Sequence, residues 1–207
     1  MKKLTLYFLL LFFSMNSISQ NGRNGPSLWE EIRMNSKLDY DNTKPQIIEA
    51  LKKYDSHQYL INRLSKNGQR YLFYTVQEAL KKDLPVELSL IPFIESQFDP
   101  YAQSSTGASG IWQFIPSTAL ENGLKKNWWY DARRDIVAST NAAYNFLIKL
   151  NEEHDDWLIA IAAYNAGPSR VRKEIRKNKE KGLPTDFWSL NLPKETKAYV
   201  PKILALA

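Results

Sequence analysis

The sequence predicts a mainly α-helical domain with at most a small β element. Three observations carry this. Apolar residues recur at helical spacing from Pro45 onward, Pro and Gly stand at the ends of those stretches, and no segment alternates apolar and polar residues for long. The chain has 207 residues, 43% hydrophobic and 24% charged, which suits one compact domain with a short appendage. It has no cysteine, so disulfides, thiol nucleophiles and thiolate metal sites are excluded. Two histidines, His57 and His154, are too few for a multi-histidine metal centre, and neither a metal nor a cofactor is expected.

Taken in order, the chain opens with Met1-Lys2-Lys3, an apolar run from Leu4 to Met15, and Ser17-Ile18-Ser19 in small-x-small order. That is the pattern of a signal peptide over residues 1–19, too short to span a bilayer as a helix. Its removal takes away two lysines and no acid, and export to the periplasm or cell envelope is expected. Residues 20–44 are polar, with Gly22, Gly25 and Pro26, and read as a flexible lead-in to a domain over 45–207.

Leu72, Val76, Ala79 and Leu80 form one apolar stripe, predicting a helix near 69–82. Pro85 suits the first turn of a helix carrying Val86, Leu88 and Leu90, which Pro92 then kinks or ends. Ile136, Thr140, Ala143, Leu147 and Leu150 predict a longer helix near 134–152. Asp156 precedes a nearly continuous apolar run, Trp157 to Tyr164, which reads as a central helix buried on most sides and stopped by Gly167-Pro168. The net charge of +6 is concentrated in 170–181, where Val171 and Ile175 point one way and the charges the other. This is a solvated helix face, with at most weak attraction to a membrane or an anionic wall polymer.

Two segments break the helical rhythm. In the first, Glu95 stands among Phe93, Ile94 and Phe98. A carboxyl with large apolar neighbours is costly to ionise, and a proton held near neutral pH is what a general acid needs. The alternative is a surface glutamate at a helix end or one paired with an arginine. In the second, seven small residues from Ser104 to Gly110 lead into Ile111-Trp112-Gln113. No Gly-Lys-Ser/Thr follows and no strand precedes, so a phosphate cradle is disfavoured. Hydroxyls, an amide and an indole suit an N-acetylated sugar.

With these motifs in hand, the chain resembles the soluble lytic transglycosylase (SLT) domain of the lysozyme superfamily. Ile94-Glu95-Ser96, Gly107 to Gln113 with Pro116 and Thr118-Ala119, and Ala162-Ala163-Tyr164-Asn165-Ala166-Gly167 occur in the family's order. Asp131 to Asp135, Thr185 to Trp188 and Glu195 to Lys202 bring it nearest the membrane-bound lytic murein transglycosylase D group. The resemblance covers roughly residues 65–207. It implies a lysozyme-like helical fold and cleavage of the β-1,4 bond between N-acetylmuramic acid and N-acetylglucosamine without water, leaving 1,6-anhydromuramyl ends.

By the same resemblance Glu95 is the single acid-then-base. Ser96 orients it or contacts the sugar, or else caps the helix end; Gln113 binds an N-acetyl or hydroxyl group. Tyr164 and Asn165 lie near the catalytic carboxyl, where Tyr164 either bonds Glu95 or satisfies its own buried hydroxyl. Glu195 and Tyr199, spaced i, i+4, line the cleft. Trp112 is a sugar platform or core, Asp99 a turn former, and Asp131, Arg133 and Arg134 structural. The implied partner is the peptidoglycan glycan strand, bound by a monomer with no nucleic acid. Without cysteine the chain is not expected to be a lipoprotein, and the LysM modules common in the D group are not expected. A hydrolytic muramidase or a non-catalytic peptidoglycan-binding module are the alternatives.

Overall fold

The computed structural model describes residues 27–55 and 68–207, and the signal-peptide expectation for residues 1–19 lies outside them, as does His57. The chain divides into two compact units, residues 1–31 and 32–207. In the first, Ser27 and Glu30 form a reciprocal N-terminal cap: the Glu30 carboxylate accepts from the Ser27 amide at 2.6 Å and the Ser27 hydroxyl from the Glu30 amide at 3.3 Å. That cap starts helix α1, Leu28–Met34, inside the stretch that reads from sequence as a flexible lead-in. The Ser-x-x-Glu spacing is the local signal that outweighs the polar composition.

In the second unit the helices are α2 (Pro45–Asp55), α3 (Gln69–Lys81), α4 (Ile91–Ser96), α5 (Pro116–Glu121), α6 (Ile136–His154), α7 (Trp157–Ala166), α8 (Pro168–Glu180) and α9 (Lys194–Leu204). Among the described residues β structure is limited to three isolated bridges, two in the loop 103–114 and one between Lys126 and Asp131. The mainly α expectation holds. Most of the predicted stripes is inward: Leu72, Val76 and Ala79 on α3, and Thr140, Ala143, Leu147 and Leu150 on α6, are buried, while Leu80 and Ile136 are half-buried. Both α6 and α7 begin at an aspartate cap, Asp135 accepting from the Ala138 amide and Asp156 from those of Leu158 and Ile159.

Helix α7 is the hub. Six successive residues, Leu158 to Ala163, are buried, and α6, α8 and α9 all pack on it. Gly167 ends it and serves as the cap of α8, whose Val171 is buried while Arg172, Lys173, Arg176 and Lys177 face solvent. Helix α9 in turn packs against α2 and α4. The segment after Pro85 differs from expectation: Val86–Leu90 is a 3-10 turn, and Pro92 stands in the first turn of a new helix, α4. Proline's missing N–H costs nothing in a first turn, so the residue that reads as a helix end also opens one. Among the described residues no helix is long and apolar enough to cross a membrane.

Candidate active site

Helix α4 is short and stopped hard. Gln97 and Phe98 both take left-handed backbone angles, φ +54° and +59°, so Glu95 lies in its last turn. Phe98 is buried, and Glu95 is half-buried and lines a cavity of about 280 Å³. Loss of water around the carboxyl pushes its pKa up to about 7. A hydrogen bond from Tyr199 pulls it down, and the charge of Glu195 pushes it up. The surface-glutamate and arginine-paired alternatives therefore do not describe its setting.

Helix α9 supplies both modulators from one face. The Tyr199 hydroxyl donates to Glu95 Oε1 at 2.5 Å. Burial and the neighbouring Glu95 carboxyl raise the Tyr199 pKa well above its ordinary value, so the phenol remains a donor. Glu195 stands one helical turn earlier and is exposed. It is distant in sequence from Glu95, and the fold brings its charge close enough to act. Asp99, the acid nearest in sequence, is the turn former expected of it and accepts from the Tyr101 amide at 2.9 Å.

Tyr164 takes the second of its two expected roles. Its hydroxyl donates to the Trp112 carbonyl at 2.7 Å, and its ring packs edge-on against Trp112 and Phe114. Trp112 is core: it is fully buried and its indole N–H donates to Thr140 Oγ1 at 3.0 Å. Ser96 likewise serves the backbone, its hydroxyl lying 3.1 Å from the Pro92 carbonyl and 3.0 Å from that of Ile111. It ties α4 to the small-residue loop and has no bond to the Glu95 carboxylate among those described.

The loop 103–114 is shaped by two close approaches. At Gly110, φ +82°, an added Cβ would lie 1.8 Å from the Arg133 carbonyl oxygen, so only glycine fits. Arg133, paired with Asp131 at 2.6 Å, donates to the Gly107 and Phe114 carbonyls and fastens the loop from outside. Gln113 is held in the left-handed region, φ +50°, by bonds from its side-chain nitrogen to the carbonyls of Ala102 (3.2 Å) and Gly110 (2.8 Å). Both partners are acceptors, which fixes the amide orientation and leaves its carbonyl oxygen to meet a donor.

Glu95, Gln113, Tyr164 and Asn165 share the cavity wall. Asn165 Oδ1 accepts from Thr196 Oγ1 at 2.8 Å, a bond that orients the amide from α9. Sequence reasoning missed Thr118 and Phe146, which also line the cavity. Thr118 sits inside a quoted motif. Phe146 sits on α6 with no local signal, and only the packing of α6 against α7 puts it there.

Residues 74–186 match the transglycosylase SLT domain family. The chain is 48% identical over 163 residues to membrane-bound lytic murein transglycosylase D of Escherichia coli K12, covering 78% of this chain and 36% of that protein. It is 32% identical over 108 residues to membrane-bound lytic murein transglycosylase F of Desulfosudis oleivorans, covering 49% of this chain and 22% of that protein. To membrane-bound lytic murein transglycosylase C of Photorhabdus laumondii it is 29% identical over 140 residues, covering 60% of this chain and 39% of that protein. The chain thus spans between about a fifth and two fifths of the length of these curated relatives.

Proposed function

The chain belongs to the SLT transglycosylase domain family, and on that premise we propose that it is a peptidoglycan lytic transglycosylase with Glu95 as its single acid-then-base. The observation that carries this is the Glu95 carboxyl, raised to about 7 by desolvation at the edge of a cavity. An acid of that strength is protonated often enough to donate and ionised readily enough to take a proton back.

In the first step Glu95 protonates the glycosidic oxygen between N-acetylmuramic acid and N-acetylglucosamine, and the C1–O bond breaks. In the second the Glu95 carboxylate takes the proton from the muramyl 6-hydroxyl, whose oxygen bonds to the anomeric carbon and closes the 1,6-anhydro ring. The proton borrowed is returned and no water is consumed. Tyr199 holds the carboxyl in place through both steps. The Gln113 carbonyl oxygen and the Asn165 amide are the groups offered to N-acetyl and hydroxyl substituents, and Glu195 acts on Glu95 through its charge. Ser96 and Tyr164 support the site through backbone carbonyls.

Export to the cell envelope, as a monomer acting on wall glycan, is part of the same reading. The test incubates the full chain with isolated sacculi and weighs the products. Anhydro products, one water lighter than reducing-end fragments, support the proposal. Glu95→Gln is expected to lower their release by about 10²–10⁴-fold. Reducing-end products would assign a hydrolytic muramidase, and release unchanged by Glu95→Gln would remove Glu95 from the chemistry.

A further inference from the structure

The largest aromatic exposure in the described chain lies outside the Glu95 cavity. Trp128 and Trp129 are 88% and 90% exposed, and Tyr101 is 75% exposed. Together with Tyr71 and Tyr130 they wall a separate concavity of about 650 Å³ that shares no lining residue with the catalytic one. Three chain segments build it: the first turn of α3, the loop after α4 and the turn 126–136. Side chains this large are costly to leave in water, and monomers rarely gather them without a partner to cover.

The platform is rigidly made. Asn127 Oδ1 accepts from the amides of both Trp129 and Tyr130 at 2.8 Å, and the Asn127 amide donates to the Tyr130 carbonyl at 2.8 Å. This tight turn holds both indoles outward. Tyr130 is anchored by its hydroxyl on Asp135 at 3.0 Å. Arg134 reaches back to Ser109 at 3.2 Å, and the Gly110–Arg133 backbone approach joins the turn to the loop that carries Gln113.

We infer that this aromatic concavity is a second binding site for the glycan strand of peptidoglycan, outside the catalytic cavity. The inference rests on the proposed wall-acting function. Pyranose rings present faces of C–H groups that stack on indole and phenol rings, while their hydroxyls need polar partners at the edge. Both are present, since Lys126, Asp131, Arg134 and Asp135 also line the concavity. Two cations and two anions balance there. That neutrality fits a neutral sugar backbone and disfavours an anionic bilayer, whose binding needs a basic excess around the aromatics. A rigid second hold on the polymer keeps the enzyme on its substrate between cuts.

The test compares the full chain with Trp128→Ala/Trp129→Ala, both carrying Glu95→Gln so that the glycan survives. Binding to isolated sacculi and to a soluble β-1,4 N-acetylglucosamine hexamer is measured at low and high salt. Loss of at least tenfold in affinity for both probes, at either salt, with an unchanged thermal midpoint, supports the site. The same tryptophan pair on an active background is expected to cleave sacculi more slowly yet turn over a short soluble muropeptide within twofold of the parent. Sacculus and hexamer binding unchanged by the pair would overturn the inference. So would a loss confined to phosphatidylglycerol vesicles, or a change confined to self-association. If the parent cleaves sacculi while the tryptophans prove irrelevant, only this inference fails; if the parent neither cleaves nor binds, the proposed function fails with it.

Discussion

Glu87 and Glu95 stand on consecutive elements, both drawn out of water, and they meet opposite treatment. Glu87, in the 3-10 turn, is fully buried and accepts from the Ser36 hydroxyl and from the amides of Lys37 (3.1 Å) and Leu38 (3.0 Å). Glu95, in the last turn of α4, accepts from the Tyr199 phenol alone among the side-chain bonds described, and its pKa is pushed up to about 7. A buried carboxyl ringed by donors becomes a clamp; here Glu87 fixes the chain ahead of α2 to the turn before α4. The half-buried Glu95 carboxyl has one such donor, and loss of water, only partly offset by that bond, raises its pKa.

The comparison breaks first at Glu87. Truncation by Glu87→Ala leaves the buried Leu38 amide without its acceptor, at about 1–3 kcal/mol, and empties the space of a fully buried side chain, while the exposed Ser36 and Lys37 donors turn to water. We expect a total loss of about 3 kcal/mol and a thermal midpoint lower by about 6–12 °C. Activity per folded molecule at low temperature is expected to hold. A loss below about 1 kcal/mol would mean that the Leu38 amide finds water too and that the clamp is nominal.

At Glu95 the sign reverses. Its folded pKa of about 7 lies above the ordinary 4.5, so between those values the folded state binds more protons than the unfolded. Stability contributed by the protonated form is complete below about pH 4.5 and is lost as pH rises through about 7. Glutamine cannot ionise, so Glu95→Gln should be more stable than the parent at pH 8, by about 2–3 kcal/mol, with the gap closing toward pH 4. Denaturant titrations at the two pH values measure this. Equal stability of parent and variant at pH 8 would show that Glu95 ionises freely in the fold.

Much of this fold is written locally. The aspartates before α6 and α7, the Gly167-Pro168 junction and the stripes on α3 and α6 are short-range signals, and each marks the element it predicts. Glu95 was legible in part: its apolar sequence neighbours Phe93 and Phe98 are buried, and the carboxyl at the end of the short helix is desolvated, although the aromatic residues that share its cavity are Phe114, Phe146 and Tyr164. Long-range partners were not legible. Tyr199 meets Glu95 only because α9 packs on α4, and Phe146 enters the cavity only because α6 packs on α7. The tryptophans divide the same way. Trp112 and the Trp128–Trp129 pair are alike in type, yet one is core and the others are in water, a difference set by the turn at Asn127.

The finest test lies on α9, where one helix face carries opposing influences on Glu95. The Tyr199 donor lowers the Glu95 pKa and the Glu195 charge raises it. Activity that needs protonated Glu95 should fall as pH rises through about 7 in the parent. Tyr199→Phe removes the donor, so the alkaline limb should move upward, with slower turnover from a less restrained carboxyl. Glu195→Gln removes the repelling charge, so the limb should move downward. Because Glu195 is exposed, that second shift should be the smaller and should fade as salt is added, whereas the Tyr199 shift should not. Measured as pH profiles of sacculus cleavage, limbs moving in the same direction would refute this division of α9 into a donor that favours the carboxylate and a charge that disfavours it.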